Sequence, residues 1–100
     1  MGLTITKEIG ETSFIAIEGR LDTTTAPELE AVLNEVLPVA KDLTFDLAKL
    51  EYISSAGLRL ILKAQKAMNQ QGSMKLRNVP AAVMEVFEIT GFADFLTVEG

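Results

Sequence analysis

The spacing of apolar residues changes repeatedly along the chain between the period of a strand and the period of a helix. Residues 3–9 alternate apolar and polar side chains, which predicts a half-buried strand at the edge of a sheet. Residues 12–19 are apolar on both faces, which predicts a central strand. A tight turn at Gly10-Glu11 would join the two segments, so we expect a β-hairpin at the start of the chain.

Three later segments have apolar side chains at helical spacing, and each is bounded by residues that favour helix ends. Thr25 and Glu28 have the three-residue separation of a capping box. Asn78 precedes Pro80 and is expected to cap the third helix. The predicted helices begin near Thr25, Ser55 and Val79 and stop at Pro38, Gly72 and Gly91.

Short apolar runs between these helices predict further strands at residues 42–47, 73–79 and 95–98. Strands that alternate with helices favour parallel pairing through right-handed crossovers. We therefore predict one α/β domain over residues 1–100, with a mixed sheet of four or five strands covered by three or four helices.

Composition removes several classes of function. The net charge of −5 argues against nucleic acid or an anionic membrane as a partner, because binding to phosphates needs a basic surface. The sequence has no cysteine and no histidine, and it has neither of the common glycine-rich phosphate-binding motifs. The usual nucleophile, general base and soft metal ligands are therefore missing. We expect a cytoplasmic protein that is not an enzyme and needs no cofactor or metal ion.

Two adjacent serines lie where a strand region gives way to the second predicted helix. Ser54 is a good N-cap, but capping does not explain Ser55, Ala56 and Gly57 in the first turn, where glycine costs about 1 kcal/mol relative to alanine. A bare helix start stabilises a phosphate dianion, which favours a phosphorylated serine. Close approach of a neighbouring strand is the alternative explanation for Gly57.

Asp22 lies in the loop after the second strand, at the same predicted end of the sheet as the serines. It is either part of an interaction site or an ordinary turn residue. An enzyme that joins Asp22, Asp46 and the serines in one cleft is conceivable, but it lacks a suitable base. We predict instead a partner-binding surface made of Asp22, Thr23, Thr24, Ser54, Ser55, Ala56, Gly57 and Leu58.

Three long segments resemble the STAS domain, the fold of bacterial anti-sigma factor antagonists. Together they cover nearly the whole chain: IAIEGRLDTTTAPELEAVL at 15–33, FDLAKLEYISSAGLRLIL at 45–62 and LRNVPAAVMEVFEITGFADFLTV at 76–98. The resemblance implies a binding module that sequesters an anti-sigma factor and so frees a sigma factor. It also implies that the anti-sigma factor is a serine kinase that phosphorylates the module, and that a serine phosphatase resets it.

The resemblance departs from the family pattern at the switch, which commonly has the sequence Asp-Ser-Ser-Gly-Leu-Gly with the acceptor just before the first glycine. Here Ser54 takes the acidic position, Ala56 the acceptor position and Arg59 the last glycine position. Either Ser55 is the acceptor, with Ser54 as second choice, or the switch is lost. The other function that the family implies is a constitutive STAS subunit of a lipid-transport or multiprotein signalling complex. We expect a monomer or a weak dimer.

Overall fold

One mixed β-sheet organises the computed structural model, which describes residues 2–99, so the two end residues of the predicted domain lie outside it. Three α-helices and a short 3-10 helix connect the strands, and the α/β fold class is confirmed. The strands are β1 (Leu3–Glu8), β2 (Thr12–Leu21), β3 (Asp42–Ile53), β4 (Ser73–Arg77) and β5 (Val98–Glu99), and the helices are α1 (Ala26–Val36), α2 (Ser55–Gln71) and α3 (Ala81–Ile89).

The strands lie side by side in chain order. β1 and β2 pair antiparallel as the predicted hairpin, which leaves β1 at an edge and β2 in the interior. The pairs β2–β3, β3–β4 and β4–β5 are parallel, and each is joined by a crossover that contains a helix. Parallel neighbours place the carboxyl ends of β2 and β3 at the same edge of the sheet.

The apolar positions that set the sequence periods form a single core. Alternate residues of β2 and of the first half of β3 are buried, including Ile15, Ile17 and Phe45, while the residues between them are half-buried or exposed. The apolar stripes of the helices pack against these residues, as the spacing predicted. The largest helical contributions come from Leu29, Leu33, Ile61, Met68 and Phe87.

The third strand ends at Ile53, six residues beyond the predicted end at Leu47. Two irregularities in its pairing with β2 explain why the sequence pattern did not show these residues as a strand. Ala16 and Glu18 of β2 face Asp46 and Lys49 of β3, so β3 holds one extra residue there. A second extra residue follows one pair later. Each bulge shifts the alternation by one residue. The buried positions Leu47, Leu50 and Ile53 are therefore three residues apart, a spacing that hides the strand from a search for period two.

Thr25 is the N-cap of α1, but the capping box predicted for it is not formed, and the cap predicted at Asn78 is wrong. The Thr25 side chain makes no capping bond, since its Oγ1 donates to the Arg20 carbonyl (2.8 Å) and accepts from the Asp22 amide (2.8 Å). Pro80 rather than Asn78 occupies the N-cap of α3, so that helix begins two residues later than predicted. Asn78 has φ 55°, and its side chain donates to Asp46 Oδ2 at 3.2 Å. Its amide therefore bonds to β3 instead of capping the helix.

Gly72 ends α2 because another backbone segment lies against it. A Cβ at this position would overlap the carbonyl oxygen of Lys41. That carbonyl accepts a hydrogen bond from the Ser73 amide at 3.0 Å, at the point where β4 begins beside β3. Only glycine allows this approach, so the predicted helix stop has a tertiary cause as well as a local one.

Within residues 2–99, none of the helices combines the length and the apolar character that a membrane crossing requires.

Candidate functional site

The loop after β2 and the start of α2 meet at one edge of the sheet. Leu21 and Ile53 are paired neighbours at the carboxyl ends of β2 and β3. One residue further on, the Ser54 amide donates to the Leu21 carbonyl at 2.8 Å. This bond carries the β2–β3 contact past the ends of the two strands. It places the Asp22–Thr24 loop beside the Ser54–Ala56 segment, as the sequence predicted, and we call these six residues the rim.

Ser54 is the N-cap of α2. Its backbone is extended (φ −94°, ψ 173°), and its Oγ accepts from the Gly57 amide at 3.3 Å. Ser55 is the first residue of the helix and is exposed, while Ala56 is half-buried. The two serines therefore have different surroundings: one hydroxyl satisfies the helix terminus, and the other faces solvent.

Gly57 lies against the strand ends, which explains its presence in the first helical turn. A Cβ here would be 2.6 Å from Leu21 Cγ and 3.1 Å from Ile53 Cγ1. Leu21 is fully buried and has no room to move away. The close-approach explanation of Gly57 is therefore the correct one. Gly57 and Leu58 are buried, so these two members of the predicted binding surface lie under the rim, and their role in binding stays a prediction.

The Asp22 carboxylate organises its own loop. Its Oδ1 accepts from the Thr24 hydroxyl at 2.7 Å, from the Thr24 amide at 3.0 Å and from the Thr25 amide at 3.1 Å. The bond from the Thr24 hydroxyl, followed by the one from the Thr25 amide, holds the pKa of Asp22 below its ordinary value of 3.8. The turn role is thus real, and it leaves a fixed negative charge on the rim. Thr23 beside it is exposed.

Asp46 does not join this site. It lies within β3, where its Oδ2 is 3.7 Å from Arg77 Nε and accepts from Asn78, and its Oδ1 accepts from the Ala48 amide. Seven residues separate it from Ile53, which corresponds to roughly 20 Å of strand. The cleft that would unite Asp22, Asp46 and the serines is therefore not formed.

A cation–aromatic pair borders the rim, and the sequence reasoning missed it. Arg20 and Tyr52 are cross-strand neighbours in β2 and β3, and the guanidinium carbon lies 4.3 Å from the centre of the Tyr52 ring. Tyr52 is 42% exposed. The sequence offered one indication of this pair. Arg20 lies two residues before Asp22, and Tyr52 lies two residues before Ser54. The bulges in β3 decide that pairing, and they are not visible in the sequence.

Comparison with known proteins finds one matching family model and several similar proteins that are named anti-sigma factor antagonists. The family model described as "Mlab, STAS domain" matches residues 6–98. A Bordetella bronchiseptica protein with the provisional name anti-sigma factor antagonist BtrV is 39% identical over 84 residues, which are 82% of this chain and 72% of that protein. The anti-sigma-B factor antagonist of Staphylococcus epidermidis is 35% identical over 89 residues, covering 84% of this chain and 80% of the relative.

Solved structures show the same fold. An anti-sigma factor antagonist from Mycobacterium paratuberculosis has a TM-score of 0.86 at 21% identity, over 97% of this chain and 85% of that one. The anti-sigma factor antagonist SpoIIAA in its unphosphorylated form has a TM-score of 0.81 at 20% identity, over 97% and 89% of the two chains. At these identities the likeness concerns the fold.

The different surroundings of the two serines predict different effects of alanine. Ser54→Ala removes the acceptor for the Gly57 amide and should lower the free energy of unfolding by about 1 kcal/mol. Ser55→Ala removes an exposed hydroxyl and should change it by less than about 0.5 kcal/mol. Urea unfolding followed by circular dichroism measures both. Equal losses for the two variants would contradict the assignment of Ser54 as the cap.

The Asp22 loop predicts a pH dependence. Because folding lowers the pKa of Asp22, its stabilising contribution is present above pH 3.8 and is lost as the pH falls through the folded-state value. Thr24→Val removes the hydroxyl donor and should raise the pKa of Asp22 toward 3.8. Thr23→Val, at an exposed neighbour, is the matched control. NMR titration of the side-chain carboxyl carbon reports the value, and an unchanged pKa in Thr24→Val would contradict the hydrogen-bond assignment.

Proposed function

The chain belongs to the STAS domain family, and from this membership we propose that it acts as an anti-sigma factor antagonist. The observation that carries the proposal is the name shared by its relatives, combined with identity of 34–39% over more than four-fifths of this chain. The rim is the structural feature that fits this proposal. It is an accessible surface, held in place by hydrogen bonds, that carries an exposed hydroxyl and a fixed negative charge.

In this proposal the partner is an anti-sigma factor that is also a serine kinase. The unmodified chain binds the partner through the rim and so frees a sigma factor. Phosphorylation adds about −1.5 to −2 charges at pH 7. A phosphate needs several hydrogen-bond donors, so it is costly to bury against a partner surface shaped for a neutral hydroxyl, and the modified chain lets go. A serine phosphatase then restores the binding form.

Ser55 is the proposed acceptor. Its hydroxyl faces solvent, whereas the Ser54 oxygen accepts a bond from the Gly57 amide, and Ala56 has no hydroxyl. The reaction moves the γ-phosphoryl group of ATP to Ser55 Oγ, with ADP as the leaving group and the hydroxyl proton passing to a base of the kinase. SpoIIAA, a protein of the same fold, has been solved in a phosphorylated form, which supports this direction.

The proposal makes the chain a substrate and a binding module rather than a catalyst. The separation of Asp46 from Asp22 supports this, because the rim then offers one carboxylate and hydroxyls without a paired base. We also propose a cytoplasmic location, where a sigma factor would be available, and a monomer or weak dimer that forms complexes with its partners.

A second candidate function is a constitutive STAS subunit of a lipid-transport or multiprotein signalling complex. Two observations favour it. The matching family model is described by the name Mlab rather than as an antagonist. Ala56 also occupies the position where the family pattern has its acceptor. In this case the rim binds a partner without being switched.

Phosphate mapping separates the two candidates. We expect Ser55 to be labelled when the protein is incubated with ATP and with the serine-kinase anti-sigma factor whose gene lies nearest to its own. Mass spectrometry identifies the labelled residue. Ser55→Ala should lose the label, and Ser54→Ala should keep it despite its lower stability. Label on Ser54 would move the acceptor by one residue. Stable binding without label on either serine would replace the switch by the constitutive subunit.

Binding at the rim predicts an effect of the Asp22 charge. Asp22→Asn keeps an Oδ1 acceptor for the loop but removes the charge, and it should weaken binding to the same anti-sigma factor by about tenfold. Asp22→Lys should weaken it further. Calorimetry on variants with unchanged circular dichroism measures the affinity, and Asp46→Asn within β3 is the control. Wild-type affinity in both Asp22 variants would remove Asp22 from the binding surface.

A further inference from the structure

The charge of this protein is distributed unevenly, and α2 is its basic element. The chain has fourteen acidic and nine basic residues. Three of the basic residues lie on α2, namely Arg59, Lys63 and Lys66, and none of the acidic ones do. All three side chains are exposed, and within residues 2–99 none of them forms an ion pair. The helix therefore presents unneutralised positive charge on an otherwise acidic protein.

Two of these cations line an open groove between α1 and α2. The groove has a volume of about 340 Å³. Arg59 and Lys63 form its basic wall, and Ala26, Pro27 and Leu60 supply apolar surface. Lys66, one turn further along α2, lies outside the groove. Glu30 of α1 is on the opposite wall and is not ion-paired with either cation.

The groove opens directly onto the rim. Thr23 and Ala56, which belong to the two rim segments, form one end of it. Arg59 follows Ser55 by four residues, so it lies one helical turn away on the same side of α2. A partner segment that crosses the rim can therefore continue into the groove without leaving the protein surface.

We propose that the groove between α1 and α2 binds an acidic, amphipathic segment of the anti-sigma factor. This inference rests on the proposed function and identifies which chemistry of the partner is recognised. The apolar surface takes aliphatic side chains of the segment, while its carboxylates pair with Arg59 and Lys63. Arginine suits this role because its planar guanidinium binds a carboxylate through two parallel hydrogen bonds.

Charge complementarity selects this occupant over others. A basic segment would face two unpaired cations, which costs free energy at any distance within a Debye length of about 8 Å. A purely apolar segment would leave those cations without partners in a desolvated contact. The carboxylate of Glu30 repels an acidic segment and so limits its affinity. Removing that negative charge should therefore have the opposite effect on binding to removing the charges of Arg59 and Lys63.

The experiment measures binding of the anti-sigma factor kinase used for phosphate mapping to the unphosphorylated chain. Arg59→Glu combined with Lys63→Glu should weaken binding by roughly tenfold or more and should reduce its dependence on salt. Lys66→Glu makes the same charge change on the same helix outside the groove, and should weaken binding less than threefold. Glu30→Gln should tighten binding. Because glutamate has good helix propensity, we expect both reversals to leave α2 formed.

The outcomes distinguish this inference from the proposed function. No binding of the anti-sigma factor to the wild-type chain would overturn both. If Lys66→Glu and the double reversal weaken binding equally, only the overall charge of the protein matters, and the proposed binding in the groove is overturned. Wild-type affinity in the double reversal, with a loss in Asp22→Asn, would confine the interface to the rim. If the double variant folds poorly, Arg59→Gln and Lys63→Gln replace it with the same expected direction.

Discussion

The close contact between the first turn of α2 and the ends of β2 and β3 determines the rest of the site. It consists of one hydrogen bond, from the Ser54 amide to the Leu21 carbonyl, and of the packing of Gly57 on Leu21 and Ile53. A larger residue at position 57 would force the helix away from the sheet. The helix start would then separate from the Asp22 loop, and the rim and the groove beyond it would lose their common edge.

The irregular third strand makes that contact possible. Its two bulges keep Leu47, Leu50 and Ile53 on the buried side although they are three residues apart. Ile53 consequently faces the core at the place where Gly57 arrives. The same shift brings Tyr52 next to Arg20, so that a cation–aromatic pair lies immediately below the rim. A regular strand of the same sequence would turn some of these apolar residues toward solvent.

The electrostatic character of the site suits recognition. The rim carries a carboxylate whose pKa is lowered by hydrogen bonds within its own loop, so its charge is fixed without a neighbouring cation. The adjoining helix α2 carries only basic residues among its charged side chains. A partner that presents a cation to the rim and carboxylates to the groove would match both. Two opposite charges in a fixed order also specify the orientation of the partner, which a uniformly acidic surface does not do.

The sequence alone determined the element order, the hairpin, the central position of β2 and the start of α2, because local apolar periods and the Ser54 cap act over a few residues. It also predicted that Asp22 and Ser54 meet at one edge, since parallel strands end together. Tertiary structure decided the remainder. Thr25 and Asn78 have side chains that suit helix caps, yet each bonds elsewhere because a strand carbonyl or carboxylate lies closer. The length of β3, the burial of Gly57 and Leu58, and the groove beside Arg59 depend on residues distant in sequence, and local pattern carries no information about such contacts.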